Sequence, residues 1–357
     1  MRALITIAHY FKSETHRDLR DAPGSGRAPL ARIAALNSQI VALHRHFGPL
    51  RLARDPRQAA SFDARARATL DIVIMTVRGA NLLEYIGIDP SVYSVEYFDG
   101  LPVMLAFEAQ RIMRERASAY DFYAYFEDDL TITDPAFFEK IGWFVSSFGS
   151  EAMLLPLRYE MAHSGTLAKV AIEPRLSSDT LSSLRRSGLS PTLAGRWNGR
   201  EQTFSLPPNP HAGCFILTGE QLQMWMRQPS FYDRDSSWCD PLVSASTYAP
   251  GRFFGLYKPA QPDPWFLEIE HYGTFYSAPL APAGQTFGEP PLLALAETAA
   301  DKGKAGAAEL PQPPGSSINT MMAEAANARR ELEKLRHSRS GLAKAFVAAT
   351  WRKLVRR

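Results

Sequence analysis

The sequence predicts an α/β fold with a mostly parallel central sheet, and two observations carry this prediction. The chain has 357 residues, of which 45% are hydrophobic and 22% are charged. This balance is typical of globular proteins and not of disordered or fibrous ones. Within the first 160 residues, short apolar runs rich in β-branched and aromatic residues alternate with segments of helical periodicity. Such alternation favours a layered fold built on a parallel sheet.

Hydrophobic periodicity and the Gly, Pro and Asp residues at element ends define the individual strands and helices. Strands are predicted at Arg2 to Ala8, Leu70 to Val77, Tyr93 to Phe98, Phe122 to Phe126, Ala152 to Leu157 and Phe215 to Leu217. Helices are predicted from Ile33 to Phe47, from a cap at Asp99 to about Ala117, and from Phe137 to Phe148. Residues 175–208 are rich in Ser, Gly and Pro and carry no clear periodic pattern.

The distribution of charge divides the chain into a body and a tail. Residues 319–357 hold ten Lys or Arg and three Asp or Glu, whereas the rest of the chain holds 30 basic and 34 acidic residues. Residues 281–318, between the two, are rich in Pro, Ala and Gly, which is the composition of a linker. We therefore predict a body at 1–280, a linker at 281–318 and a basic amphipathic helical tail at 319–357.

The tail combines Trp351 with Lys and Arg side chains, a pattern that suits an anionic membrane surface. Docking on another subunit and a solvated tail are the alternatives. No apolar run reaches the roughly 18 residues of a transmembrane helix, and the first apolar run is too short for a signal peptide. The two cysteines, Cys214 and Cys239, cannot form a disulfide framework. We expect a cytoplasmic protein, free or peripheral at the inner face of a membrane, and no nucleic-acid partner because the body is net acidic.

Three adjacent carboxylates, Glu127-Asp128-Asp129, directly follow the predicted strand Phe122 to Phe126. Ligands of open α/β sheets bind beyond the carboxyl ends of the strands, and adjacent carboxylates need positive charge, water or a metal to offset their repulsion. Mg²⁺ and Mn²⁺ prefer oxygen ligands, often carboxylates together with substrate phosphates. The cluster therefore predicts a site where Mn²⁺ or Mg²⁺ bridges the protein to a diphosphate. An acidic turn exposed to solvent is the alternative.

The run YDFYAYFEDD, at 120–129, resembles the metal-binding motif of GT-A-fold glycosyltransferases, in which an aromatic-rich strand ends in a DXD-type signature. The resemblance covers roughly residues 1–280 and implies a GT-A-like, single Rossmann-type domain that binds a nucleotide-sugar through a divalent metal. It implies Asp129 and Glu127 as metal ligands and Glu127 and Asp128 as donor contacts. This chain has Glu where the signature usually begins with Asp.

Two later residues fit the same resemblance. Gly213, in the run Asn209 to Cys214, resembles the glycine-containing loop beside the donor sugar; a plain turn before a strand is the alternative. A glycine there permits close approach of the backbone to a ligand. His271 matches the late histidine that completes the metal shell, although a lone histidine can equally be structural.

Asp240 matches the later acidic motif that supplies the catalytic base in inverting members of the family. Asp233 and Asp235 are rival candidates, and an Asp that caps a helix beginning at Pro241 is the alternative role for Asp240. Inversion is weakly favoured on this basis.

The donor nucleotide is expected over the first strands, where Asp71, Arg78 and residues near His9 are candidate contacts. Arg158 could pair with a phosphate or with Glu127, or form a surface salt bridge. The aromatic residues Trp238, Trp265 and Tyr272 could stack on sugars or belong to the core.

Taken as a whole, the resemblance implies transfer of a sugar from a nucleotide-sugar to a hydroxyl of a saccharide or lipid-linked acceptor. Two alternatives remain open. One is a carbohydrate- or metal-binding module with a relict site, and the other is a different metal-dependent enzyme of phosphoryl or nucleotidyl transfer.

Overall fold

The computed structural model describes residues 1–12, 29–48, 69–162, 168–184 and 188–273. The chain divides into two units, Met1–Leu295 and Ala296–Arg357, and the described residues belong to the first. Its strands are β1 (Arg2–Ala8), β2 (Thr69–Thr76), β3 (Ser94–Tyr97), β4 (Phe122–Glu127), β5 (Leu130–Thr131), β6 (Ala152–Leu154), β7 (Leu157–Ala162), β8 (Ala168–Ala171), β9 (Thr192–Trp197), β10 (Arg200–Ser205), β11 (Cys214–Thr218), β12 (Gly255–Pro259) and β13 (Glu268–His271). Its α-helices are α1 (Pro29–Phe47), α2 (Glu108–Glu115), α3 (Phe137–Phe148), α4 (Ser178–Ser182), α5 (Gly219–Met226), α6 (Pro241–Val243) and α7 (Ala249–Gly251). Short 3₁₀-helices lie at Leu83–Tyr85, Pro90–Val92 and Pro102–Phe107, and a π-helical turn at Ser244–Tyr248 joins α6 to α7.

A five-stranded sheet in the order β11-β4-β1-β2-β3 forms the centre of the described unit. β1 pairs in parallel with β2 and β4, and β2 with β3, whereas the edge strand β11 is antiparallel to β4. Residues Ala3 to Ile7 of β1 are all buried, as expected for a parallel strand covered on both faces. In the register, Ala8 lies opposite both Met75 and Glu127, so three strands reach their carboxyl ends at one edge. The prediction of an α/β fold with a mostly parallel central sheet is confirmed.

Two four-stranded sheets, β6-β12-β10-β9 and β5-β13-β7-β8, complete the unit. The short strand β5 follows the acidic cluster directly and pairs with β13, which in turn runs parallel to β7. His271 lies opposite Leu130 in this pairing, and Glu270 lies opposite Tyr159. This pairing places β13, the last described strand, at the carboxyl edge of the central sheet.

An aromatic cluster joins α3 to the neighbouring small sheet. The rings of Trp143 and Phe144 lie 5.9 and 4.9 Å from the ring of Phe204, centroid to centroid. Phe266 contacts both Trp143 and Phe204, at 5.7 and 5.6 Å. These tilted and edge-to-face contacts are the favourable arrangements for aromatic pairs, and each adds about 0.5–1.5 kcal/mol beyond burial of apolar area. They extend the hydrophobic core of the central sheet into the second layer.

Two predicted elements were wrong in detail. The strand predicted over Ala152 to Leu157 is two strands, β6 and β7, because the first pairs with β12 and the second with β13 on either side of Pro156. The helix expected from a cap at Asp99 begins instead as a 3₁₀-helix with Leu101 at its N-cap and without a capping side chain.

Residues 175–208 contain α4 and the β9–β10 hairpin. The hairpin turn is Asn198-Gly199, with φ angles of 47° and 79°. Asn-Gly is the pair that such two-residue turns favour, because both positions need positive φ. The Asn198-Gly199 pair therefore indicates a hairpin in the sequence, although the hydrophobic periodicity of this region does not.

The predicted linker at 281–318 and the predicted tail at 319–357 lie outside the described residues. Their membrane contact stays a prediction. Among the helices of the described residues, none combines the length and the apolar composition needed to cross a membrane.

Candidate active site

The acidic cluster lies at the carboxyl end of β4, in the interior of the central sheet. Glu127 is the last residue of this strand, and its backbone N–H donates to Gly213 O at 2.9 Å. The side-chain amide of Gln39, on α1, donates to Glu127 O at 2.8 Å. A strand, a loop and a helix thus fix the backbone from which the three carboxylates project.

Asp128 points into the protein and is 3% exposed. Its carboxylate lies 2.5 Å from His9 Nδ1 and 2.7 Å from an Arg32 guanidinium nitrogen. His9 Nε2 accepts the backbone N–H of Leu82 at 3.0 Å, which assigns the imidazole proton to Nδ1 as the donor to Asp128. Burial alone would raise the pKa of Asp128, but the Arg32 charge and the His9 hydrogen bond outweigh it and hold that pKa below its usual value. Asp128 therefore joins β1, α1 and β4 through charge and hydrogen bonding.

Glu127 sits against Gly213, the residue predicted to lie beside the donor sugar. Gly213 has a φ of +63°, and a Cβ atom there would approach Glu127 Oε2 to 2.8 Å. Two features favour glycine at this position: the positive φ angle, and the Glu127 carboxylate, which leaves little space for a Cβ atom. Burial and the neighbouring Asp129 raise the pKa of Glu127 to about 7, with Arg158 and His271 acting in the opposite direction.

Asp129 and His271 meet at this edge, as the sequence predicted. His271 Nε2 lies 3.6 Å from Asp129 Oδ2, and the backbone N–H of Tyr272 donates to Asp129 O at 2.8 Å. On its other side, His271 Nδ1 lies 3.0 Å from a carboxylate oxygen of the buried Glu160. A carboxylate on one ring nitrogen orients the other nitrogen toward its partner, as in many metal-bound histidines. Burial opposes the charged imidazole, but Asp129 and Glu160 together raise the pKa of His271.

A second group of polar residues lies behind Glu127. His211 Nε2 is 3.9 Å from Glu127 Oε1, and its Nδ1 is 3.0 Å from Thr247 Oγ1. Burial, with the charges of Arg158 and Lys258, lowers the pKa of His211 well below its usual value. Arg158 is 5% exposed, so the surface salt bridge considered for it is excluded.

Two buried oxygens of the cluster have no hydrogen-bond partner in the described part of the chain. They are Glu127 Oε1 and Asp129 Oδ1. Buried carboxylate oxygens normally accept hydrogen bonds, and each exception calls for an explanation such as an ion. Among the described residues no three His, Cys, Asp or Glu side chains form a complete ion-binding group. A hard divalent cation held here would therefore take remaining ligands from water and from a diphosphate. Glu127, Asp129 and His271 would each supply single ligands to such a cation, and they do not form a complete site by themselves.

The candidate base Asp240 is exposed and caps α6, since its side chain accepts the N–H of Val243 at 2.9 Å. The capping role considered for Asp240 is therefore present. α6 contacts the Pro102–Phe107 segment, which follows the parallel strand β3 and so lies toward the same edge as the acidic cluster. The rivals are engaged elsewhere: Arg252 holds Asp233 through two contacts of 2.7 and 2.6 Å, and lies 3.5 Å from Asp235.

The two predicted nucleotide contacts lie at opposite ends of β2. Arg78 follows the strand at its carboxyl end, is exposed, and stacks over the Tyr97 ring at 4.0 Å. Asp71 lies opposite Leu4, near the amino end, and accepts a hydrogen bond from the Tyr120 hydroxyl. The structure thus brings Arg78 to the edge of the acidic cluster and does not bring Asp71 there.

The aromatic candidates for sugar stacking do not form one platform. Trp238 stacks on Tyr248 with an interplanar angle of 9°, and its indole N–H donates to Thr180 O at 2.9 Å. Trp265 is 37% exposed and packs edge-on against Tyr159.

Sequence reasoning missed Arg32, Gln39, Glu160 and Lys258 as parts of this site. Gln39 carried a signal, since it lies on the apolar face of α1 beside Leu36, Ile40 and Leu43, where a polar side chain needs a buried partner. Lys258 carried a similar signal, because it is a charged residue within the otherwise uncharged and buried strand β12.

Comparison with known proteins gives no family. No protein-family model matches the chain, and no curated protein matches it. One similar solved structure is a CMP:2-keto-3-deoxy-manno-octonic acid synthetase in complex with CTP, at a TM-score of 0.31 and 12% identity over 85% of this chain and 100% of that chain. Another is the apo form of the WbbM bifunctional glycosyltransferase, at a TM-score of 0.33 and 10% identity over 72% of this chain and 38% of that one. Similarity at this level carries no argument about function.

Proposed function

We propose that this protein is a glycosyltransferase that moves a sugar from a nucleotide-sugar to an acceptor hydroxyl, with Mn²⁺ or Mg²⁺ at the acidic cluster. The observation that carries the proposal is the pair of buried oxygens without a hydrogen-bond partner, Glu127 Oε1 and Asp129 Oδ1, at the carboxyl end of a central parallel strand. This is the place where open α/β sheets bind their ligands. The resemblance of residues 120–129 to a DXD-type signature supports the same reading.

The proposed metal ligands are Asp129, Glu127 and His271, and the cation would offset negative charge on the diphosphate. Asp128 serves this site indirectly, since its own carboxylate is taken by Arg32 and His9. Arg78 is the proposed cationic contact of the nucleotide, at the same edge.

In the proposed reaction, the acceptor oxygen forms a bond to the anomeric carbon while the bond from that carbon to the diphosphate oxygen breaks. The electron pair leaves with the diphosphate, and the proton of the hydroxyl passes to a carboxylate, for which Asp240 is proposed. A general base of this kind contributes about 10²–10⁴ in rate.

The first test is the thermal stability of the protein with nucleoside diphosphates and nucleotide-sugars, each with and without Mn²⁺. A ligand that binds only the folded state adds about 2.7 kcal/mol of stability at 100 times its Kd. We expect stabilisation only when nucleotide and metal are both present, and its loss in Asp129→Asn. Asp99→Asn, at an exposed carboxylate of the same edge, is the control and should keep it. In the same series Asp240→Asn should bind donor normally but transfer sugar about 10²–10⁴ times more slowly.

The alternatives predict different results from the same protein. Release of pyrophosphate from a nucleoside triphosphate indicates nucleotidyl transfer. Binding of saccharide or metal without any effect of nucleotide indicates a binding module. Either result contradicts the proposed function.

A further inference from the structure

A cavity of about 700 Å³ lies beside the candidate active site and has a very different lining. Six leucines and three prolines form most of its wall, and the polar residues among those lining it are Arg175 and Ser178. Its volume is within the range of about 300–1,000 Å³ found for small-molecule sites.

The wall of the cavity is closely fitted where it meets β12 and α7. A Cβ atom on Gly251 would come within 2.7 Å of Leu184 Cδ2, and one on Gly255 within 2.9 Å of Leu189 Cδ2. The glycines thus leave space that the two leucines occupy. On the other side, the N–H of Leu176 donates to Pro208 O at 3.0 Å. At these positions the cavity is bounded by packed side chains and by a backbone hydrogen bond.

One short segment separates the cavity from the acidic cluster. Pro207, Pro208 and Pro210 line the cavity, whereas His211 and Gly213 contact Glu127. Asn209, between them, fixes the segment by donating to Pro174 O at 2.8 Å and accepting the N–H of His211 at 2.9 Å. A molecule that fills the cavity therefore lies next to the proposed donor site.

The lining selects the chemical class of the occupant. The side chains of proline and leucine carry no hydrogen-bonding group, so a sugar or a base would find few side-chain partners in this cavity beyond Arg175 and Ser178. An aliphatic chain loses nothing there and is removed from water. Arg175 is exposed, and no ion pair joins it to another residue in the part of the chain that the structure describes. Guanidinium groups bind phosphate and carboxylate through paired hydrogen bonds.

We propose that this cavity binds the aliphatic chain of an amphiphile whose anionic headgroup pairs with Arg175. This inference rests on the proposed function: the amphiphile is a lipid-linked acceptor bound beside the donor site, and its acceptor hydroxyl lies beyond the anionic group that pairs with Arg175.

The test is calorimetric titration of the full chain with dodecyl phosphate below its micellar concentration, with dodecanol and inorganic phosphate as comparators. Leu181→Trp and Leu206→Trp fill the cavity from two sides and should each weaken both amphiphiles by about tenfold or more, since a filled core site has no room for a second group. Arg175→Gln should weaken dodecyl phosphate about tenfold, the value of one charge-assisted hydrogen bond, and leave dodecanol unchanged. Leu101→Trp and Arg200→Gln, at exposed positions outside the cavity lining, are the matched controls.

Equal binding by wild type and both cavity-filling variants would overturn the proposal, as would tight binding of inorganic phosphate alone. Using two filling variants guards against one that fails to fold. Stabilisation by nucleotide with Mn²⁺ is measured in the same proteins. If the amphiphile binds and the nucleotide does not, the cavity stands as a lipid site and the proposed transferase fails. If nucleotide with Mn²⁺ stabilises the protein and the amphiphile does not bind, only the inference of a lipid site fails.

Discussion

Three neighbouring carboxylates in this chain occupy three different environments. Asp128 is ion-paired with Arg32 and hydrogen-bonded by His9, whereas Glu127 and Asp129 each keep a buried oxygen without a hydrogen-bond partner. The sequence predicted Asp129 and Glu127 as metal ligands and Asp128 as a donor contact. It could not show that Arg32 and His9 hold the Asp128 carboxylate. The partners of Asp128 lie 119 and 96 positions away in the chain, and only the tertiary fold brings them near.

This difference predicts that substitutions at Asp128 and Asp129 change the free energy of unfolding by unequal amounts. Asp128→Asn removes the shared acceptor of a buried ion pair and should lower the free energy of unfolding by about 3 kcal/mol. Asp129→Asn should change it by less than about 1 kcal/mol, because its contacts with Arg32 and His271 are longer, at 3.5 and 3.6 Å. Urea unfolding without nucleotide or metal measures both. Equal destabilisation by the two variants would show that Asp129, too, is structural.

Helix α1 is the element that holds the acidic cluster in place. Its Arg32 contacts Asp128 and its Gln39 donates to Glu127 O, so one helix fixes both a side chain and the backbone of the cluster. The sequence predicted this helix and its apolar face from spacing alone. The role of Gln39 could not be predicted, since the acceptor is a backbone carbonyl on a distant strand.

Gln39→Met tests the role of α1. It keeps the volume but leaves Glu127 O without its side-chain donor, which should cost about 1–2 kcal/mol of stability and reduce stabilisation by nucleotide with Mn²⁺. Asn37→Ala is the control on the same helix, since Asn37 makes an exposed bond to the N–H of Gly87. Unfolding curves with and without ligand should change for the first variant and stay within about 0.5 kcal/mol for the second.

Across the whole molecule, buried charges of both signs extend from the acidic cluster to β12. Lys258 is 3% exposed; it pairs with Glu173 and donates to His211 O at 2.9 Å. The sequence predicted the strands and helices of the first half of the chain from local periodicity. It could not predict which strands pair across long separations, as β1 does with β4 and β6 does with β12, because no local pattern records such pairing.

Lys258 gives the stability of the whole protein a defined pH dependence. Burial lowers its pKa from 10.5 to about 8, although the ion pair with Glu173 opposes this. Between these two pH values the unfolded chain binds more protons than the folded chain, so stability rises with pH and the cost of burying the charge is fully present below pH 8. The double variant Lys258→Met/Glu173→Gln removes both charges and is the reference.

We expect the stability of wild type relative to this reference to rise by up to about 1.4 kcal/mol per pH unit within the window, and to be constant from pH 6 to 8. Chemical unfolding at a series of pH values measures the difference. A difference that stays constant above pH 8 contradicts the assignment to Lys258.

The chain positions of the site residues have a consequence for biosynthesis. His9 directly follows the first strand, His271 ends the last one described, and Asp129 lies between them in the chain. As the chain leaves the ribosome, β1 cannot pair until its parallel partners β2 and β4 have been synthesised. Pairing between residues so far apart in the chain is slow. A nascent chain that has not yet exposed β13 already contains both residues of the Asp128–Arg32 ion pair but lacks the imidazole that lies beside Asp129. The structural half of the acidic cluster can therefore form during synthesis, and the ligand-binding half is completed near its end.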